Sequence, residues 1–345
     1  MTFRATILGL LAGVFIVVAG YINDQYIRVN FMVGNHLPIS VFGMLILGMV
    51  SINPLLYRLR PSWRLRPAEL AVALSLTLVA CYIPSSGLMR TFTPMLVMPI
   101  QHYQITPGWQ KTHVLHYAPP QMLAGRGRYD TALVDDFISG LGEPGRAIGL
   151  DRIPWGQWNE ALTTWVPLIF LCTLAVICMS LIVHQQWAYG ERLRYPIADF
   201  ATSLLNQDPG RSLGPIFRQK LFWIGLAAVF LVRIVNGLHV WFPDRGIEIP
   251  LQFDFSAITT RFRSIGRAPG SGDVVRPILY PTGVAFSFFL ASDVGFSLGI
   301  SRIAYVLVMG WLITAGVDTT GDYMNGGLPQ WLNFGSYAGM GLLLL

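Results

Sequence analysis

The sequence predicts an all-α fold, a polytopic bundle of membrane-spanning helices, on three observations. Hydrophobic residues make up 53% of the chain and charged residues only 12%, about half the ~25% usual in soluble domains. Mean hydropathy is +0.51. Apolar runs of about 20 residues, the length that crosses a hydrocarbon core of ~30 Å, recur along most of the sequence. A water-soluble chain of this length needs a charged surface that this composition cannot build. The net charge of +6 and the pI near 9.4 come mostly from arginines at the ends of apolar runs. There they anchor helices to headgroups and set orientation, so the expected partner is a lipid bilayer and not nucleic acid.

The spans follow in order. Arg4 and the apolar run Ala5–Ala19 have the outline of a secretory signal. However, Gly20-Tyr21-Ile22-Asn23-Asp24 is a poor cleavage site and further spans follow, so Ala5–Asn23 reads as an uncleaved first helix. Pro38–Tyr57, Ala68–Met89, Ala161–His184, Leu221–Phe242, Ile278–Leu298 and Ile303–Val317 bring the expectation to about seven complete spans. A last run from Gln330 to Leu345 reads as a span cut short. The expectation is one transmembrane domain, residues 1–345, forming the front part of a longer protein.

Two pieces between spans are long. Gln101–Glu160 is an outer loop of about 60 residues, with Trp109, Trp155 and Trp158 at its margins as interface anchors. Within it, Asp130–Leu141 has the pattern of a short amphipathic helix. The second loop, residues 243–277, carries Arg245, Arg261, Arg263, Arg267 and Arg276. Orientation rests on the short connection Arg58–Pro67, whose four arginines place it and the N-terminus in the cytoplasm. By that count the arginine-rich 243–277 loop falls outside, against the rule. In Pro67-Ala68-Glu69, proline in the first helical turn and an acid at the positive end of the dipole mark the start of the third helix.

Chemistry is sought where the apolar runs are interrupted. Cys81-Tyr82-Ile83-Pro84-Ser85-Ser86-Gly87-Leu88-Met89-Arg90 holds a proline, two hydroxyls and a glycine near the outer end of the third span. Proline blocks the preceding helical turn, so the helix should break and continue as a re-entrant or interfacial piece. Backbone freed at membrane depth is tolerated only inside protein or along a cavity, and such breaks form substrate sites in transporters. The alternative is a proline kink whose serines bond their own backbone.

In the fifth span, Arg233, Asn236 and His239 form an oblique polar stripe. A charge at the position of Arg233 is costly in lipid, and Asp293 in the next span is the expected partner. Asn53-Pro54 reads as a helix-terminating turn. His102, His113 and His116 have generic spacing, with no cysteine or carboxylate cluster beside them, and the three cysteines lie in apolar segments. Asp318 and Asp322 read as a solvated turn. No metal or cofactor is expected. The sequence holds no P-loop, Gly-x-Ser-x-Gly, His-Glu-x-x-His or Rossmann fingerprint, which argues against an ATPase or a familiar hydrolase.

Several stretches resemble a family of uncharacterised multi-pass bacterial membrane proteins. They are Gly34-Asn35-His36-Leu37-Pro38, Asn53-Pro54-Leu55-Leu56, Pro67-Ala68-Glu69-Leu70, Ile83–Arg90, Glu191–Pro196 and Asn236-Gly237-Leu238-His239. The resemblance implies a bacterial inner-membrane protein and brings no established activity. Leu193-Arg194-Tyr195-Pro196 is also similar to a stretch of the oligopeptide and metal-chelate transporter superfamily. The chain departs from that pattern at once, with Ile197-Ala198-Asp199 where the superfamily favours Ser-Gly-Thr.

The leading expectation is a secondary transporter of small organic solutes or peptides. Its substrate or coupling residues would be Pro84, Ser85, Ser86, Gly87, Arg90, Arg233, Asn236, His239 and Asp293, with protons coupled through Asp293 or His239. A competing expectation is a membrane-embedded enzyme acting on lipid-linked substrates, with Arg126, Arg128 and His116 of the outer loop at its site. A third is a structural subunit of a membrane complex.

Overall fold

The computed structural model describes residues 2–27, 31–34, 37–140, 149–193, 195–319 and 327–343. It is all-helical, and five helices are long and apolar enough to cross a membrane: Phe3–Ile27, Ile39–Leu59, Trp155–Gly190, Lys220–Trp241 and Ser292–Thr314. This is the helical architecture of a multi-pass membrane protein. The chain divides into two compact units, one of residues 1–193 with 200–218, the other of 194–199 with 219–345.

In the first unit, α1 (Phe3–Ile27) ends in a π-helical turn, Asn23–Ile27. Its buried face is small: Ala5, Gly9, Gly13, Ile16 and Gly20. A Cβ at Gly9 would lie 2.6 Å from Leu76 Cδ1 and 3.1 Å from Ala73 Cα. Only glycine lets α1 approach the facing helix this closely, the usual means of packing where lipid removes the hydrophobic drive between helices.

Helix α2 (Ile39–Leu59) runs through Asn53-Pro54 instead of ending there. A π-helical turn over Gly48–Ile52 precedes the proline and absorbs the backbone bond its ring would otherwise break. Asn53 is buried. Its Oδ1 accepts the Leu65 N–H at 2.9 Å and its Nδ2 donates to Leu65 O at 3.4 Å, so it clamps the α2–α3 connection.

Helix α3 (Pro67–Ala80) starts as its sequence indicates. Pro67 occupies the first turn, and Glu69 accepts the Arg66 N–H at 3.0 Å and the Thr2 hydroxyl at 2.9 Å. It stops at Ala80, and α4 (Leu88–Ile105) follows a turn. The expected third span is thus a broken helix.

The 101–160 segment is not an isolated loop. Its short helix α5 (Thr131–Ser139), capped by Asp130 accepting the Ala132 N–H at 2.8 Å, packs with α4 and the start of α6 (Trp155–Gly190). Phe92, Leu96, Val97, Ile100, Ala124, Leu133, Val134 and Ala161 form the shared core, and Trp158 and Trp165 pack against it. Trp158 lies against Phe137 with ring centroids 5.7 Å apart. Farther along the chain, α7 (Pro196–Leu205) brings the ring of Phe200 to 5.3 Å from that of Phe42.

In the second unit, α8 (Lys220–Trp241) is followed by an irregular segment. Leu251–Phe255 and Val275–Leu279 pair antiparallel through an isolated bridge at Gln252 and Ile278. Between them lie α9 (Ala257–Arg261), α10 (Arg263–Arg267) and α11 (Ser271–Val275). The last two pack against α13 (Ser292–Thr314) around Ala268, Val306 and Met309.

The apolar run Ile278–Leu298 is not one helix. It holds α12 (Pro281–Ser287), a turn, and the first residues of α13. Ala291 is extended (ψ 144°) and Asp293 lies in the first turn of α13, where the helix dipole favours an acid. Residues expected in two successive spans therefore share one helix of 23 residues. Helix α14 (Gly327–Leu343) ends the described chain.

Candidate functional site

The break between α3 and α4 is the most specific polar construction in the first unit. Its own backbone is largely satisfied: Leu88 N–H donates to Tyr82 O at 2.8 Å, Met89 N–H to Ile83 O at 3.0 Å and Gly87 N–H to Pro84 O at 2.9 Å. The serines turn outward to a second irregular segment. Val33 N–H donates to Ser85 Oγ at 3.3 Å. Ser86 gives both its N–H (3.3 Å) and its hydroxyl (2.9 Å) to Val33 O. Ser85 holds φ +60° and Gly34 φ +119°, backbone states that most L side chains avoid. A Cβ on Gly34 would collide with Ser86 Oγ and lie 2.6 Å from Gly87 N. Pro84 is buried beside Gly20 of α1, where an added Cβ would meet it at 3.7 Å.

Three segments, residues 20, 31–34 and 81–90, thus interlock as a clasp. The hydroxyls of Ser85 and Ser86 meet the backbone of Val33. Arg90 stacks on the Phe31 ring, 4.1 Å to the centroid. It makes no hydrogen bond or ion pair among the described residues. Its guanidinium is therefore the charged group this site leaves available.

On α8, Asn236 and His239 tie down the chain that follows. Asn236 donates to Ile249 O at 2.9 Å and accepts Ile249 N–H at 2.8 Å. His239 Nδ1 lies 2.9 Å from Gly246 O, and Nε2 is 4.0 Å from Glu248. Gly246 is needed for this approach, because a Cβ there would collide with His239 Cα. Arg233 is exposed on the same helix.

The pairing expected between Arg233 and Asp293 is absent from the ion pairs of the described residues. The reason is the early start of α13, which makes Asp293 a helix-start acid and not a mid-span charge. An ion pair that the apolar pattern does not signal joins Arg302 to Asp273. Arg302, near the middle of α13, bonds the Asp273 carboxylate at 2.5 Å. Gly270 (φ +74°) gives it room, since a Cβ there would collide with the guanidinium. Arg302 falls between the apolar runs Ile278–Leu298 and Ile303–Val317, so neither run contains it.

The outer segment offers less. Arg126 bonds Glu160 at 2.6 Å, which holds its guanidinium protonated even more firmly than usual. His113 and His116 stack on each other with centroids 5.3 Å apart, while His102 lies against Trp109. Among the described residues no group of three or more His, Cys, Asp or Glu side chains is placed to hold a metal ion. Asp322 and residues 35–36 lie outside the described residues.

No curated protein matches the chain. No solved structure matches it either, so neither comparison supports the likeness to the oligopeptide and metal-chelate transporter superfamily. One family model does match, and it covers residues 1–345. The chain therefore belongs to the family of unknown function DUF6785.

Proposed function

We propose that the protein is a membrane carrier for small organic solutes, organised around the broken helix between α3 and α4. The observation that carries this reading is the clasp. An apolar stretch long enough to span is interrupted at Cys81–Gly87 and tied to Val33 and Gly34 of a second irregular segment. Irregular backbone at membrane depth is costly unless it is buried in protein or lines a cavity, and discontinuous helices are where carriers bind their cargo. Arg90 is the group left to meet an anionic part of the solute. Proton coupling falls to His239 of the α8 stripe, because Asp293 lies in the first turn of α13 and not at mid-span. The same reading places the five long apolar helices in the bacterial inner membrane, with the N-terminus inside.

The test is uptake by proteoliposomes under an imposed pH gradient, across a panel of anionic and zwitterionic solutes. Gradient-driven uptake that Arg90→Ala abolishes, while the variant stays folded, supports the carrier. No uptake of any solute, or uptake indifferent to Arg90→Ala, rejects this site.

A further inference from the structure

The second unit holds a cleft of about 400 Å³ lined by Glu248, Pro250, Leu251, Gln252, Asp254 and Arg276. That is the lower part of the range for small-molecule sites. Its walls are fixed by the backbone. Leu279 N–H donates to Leu251 O at 2.7 Å, Phe253 N–H to Pro277 O at 3.0 Å and Phe255 N–H to Val275 O at 2.7 Å. The rim at 246–250 is pinned to α8 by the double bond of Asn236 to Ile249 and by His239 at Gly246. Asn236 and His239 thus act as positioning residues for the cleft. A site held in shape without its ligand loses less entropy on binding.

The charged groups are incompletely matched. Arg276 meets Asp254 through Nε at 3.5 Å. Its two terminal nitrogens make no hydrogen bond among the described residues. Asp254 is already engaged, accepting the Ser256 N–H at 2.7 Å. The outer edge of Arg276 is a planar fork of the geometry that grips a carboxylate in bidentate fashion. Glu248 lies 4.0 Å from His239 and is 67% exposed. Its carboxylate accepts no hydrogen bond among the described residues.

We propose that this cleft binds a small zwitterion, its carboxylate on the terminal nitrogens of Arg276 and its ammonium on Glu248. A dianion meets repulsion from Glu248 and Asp254, and a dication from Arg276. A neutral solute leaves both charges without their match. The cleft's use as a capture site for transport rests on the carrier reading above, whereas the binding itself does not.

The test is calorimetric titration of the full chain in detergent with ω-amino acids from glycine to 6-aminohexanoate. The N-acetyl and methyl-ester forms of the tightest member follow. Saturable binding of at least one member is expected, weakened about tenfold or more by either blocking group. Arg276→Ala should make acid and ester bind alike, and Glu248→Gln should do the same for amine and N-acetyl forms. Arg276→Lys keeps the charge without the fork and should weaken binding to an intermediate degree, which serves if Arg276→Ala misfolds. Absence of saturable binding, indifference to both blocking groups, or wild-type binding by the variants overturns the proposal. Proteoliposome uptake separates the two ideas. Uptake without cleft binding removes the cleft and spares the carrier, and cleft binding without uptake does the reverse.

Discussion

Replacing Gly34 with alanine should open the clasp. Gly34 sits at φ +119°, where a side chain costs of order 1–3 kcal/mol in backbone strain. The new Cβ would also collide with Ser86 Oγ and lie 2.7 Å from Ser86 C. The serine must then leave Val33 O, which it now meets at 2.9 Å. Weakening a buried hydrogen bond in this way costs about 1–3 kcal/mol. Together these amount to roughly 3 kcal/mol, a shift of more than about a hundredfold in the opening equilibrium. Cys81 reports it directly. It is 3% exposed at the start of the turn, while Cys172 and Cys178 are exposed on α6 and can be changed to serine. In proteoliposomes, a membrane-permeant maleimide should label Cys81 about a hundredfold faster in Gly34→Ala, and about tenfold faster in Ser86→Ala, which loses only the hydroxyl bond. Equal labelling of wild type and Gly34→Ala would refute the steric argument.

Four further outcomes follow from the packing. Gly9→Leu should destabilise the first unit by about 1–3 kcal/mol through overpacking against Leu76. Gly43→Leu, with nothing within 4 Å of its Cβ, should leave the melting temperature unchanged, and equal effects would discredit the α1–α3 interface. Asn53→Ala should cost about 1–3 kcal/mol in chemical unfolding, because the Leu65 N–H loses its buried partner while Leu65 O keeps only the Gln207 donor at 3.0 Å. Reversing the Arg302–Asp273 pair one residue at a time should lower thermal stability in bicelles, and the double swap should restore part of it. Additive losses would show that the pair does not couple α13 to Ser271–Val275. Finally, hydrogen bonds from Ser256, aided by Arg276, hold the Asp254 carboxyl below its ordinary value of 3.8. A depressed folded-state pKa adds stability above the unfolded value and loses it as pH falls through the folded one. The stability advantage of wild type over Asp254→Asn should therefore persist at neutral pH and decline as pH falls below about 3.8. An advantage that stays constant to pH 3 would contradict it.

What the sequence disclosed, and what it concealed, divides along the range of the interactions. The break at Pro84–Gly87 was legible because proline and glycine act on their own turn. Its partner, Val33-Gly34, was not, since about fifty residues separate two segments that share no local pattern. Glu69 and Pro67 announced the start of α3, and the same kind of signal, Ser292-Asp293, announced α13. There it lay inside an apolar run whose length alone implied continuity. Asn53-Pro54 suggested a stop, yet a π-helical turn carried α2 through it. The polarity of Asn236 and His239 was plain, but not their employment by the backbone of 246–249. Trp158 illustrates the remaining difficulty: an aromatic beside a span serves an interface or a core equally well until its neighbours are known.

If the break between α3 and α4 lines the solute path of the proposed carrier, thiol accessibility at Ser85 tests it most directly. Ser85→Cys, in a background without native cysteines, is exposed to a membrane-impermeant thiol reagent in intact proteoliposomes, with Leu76→Cys on α3 as reference. The account predicts that Ser85→Cys reacts from the aqueous phase and that a bound solute slows it, while Leu76→Cys stays inert. A Ser85→Cys thiol unreactive from both sides of the membrane would contradict the account.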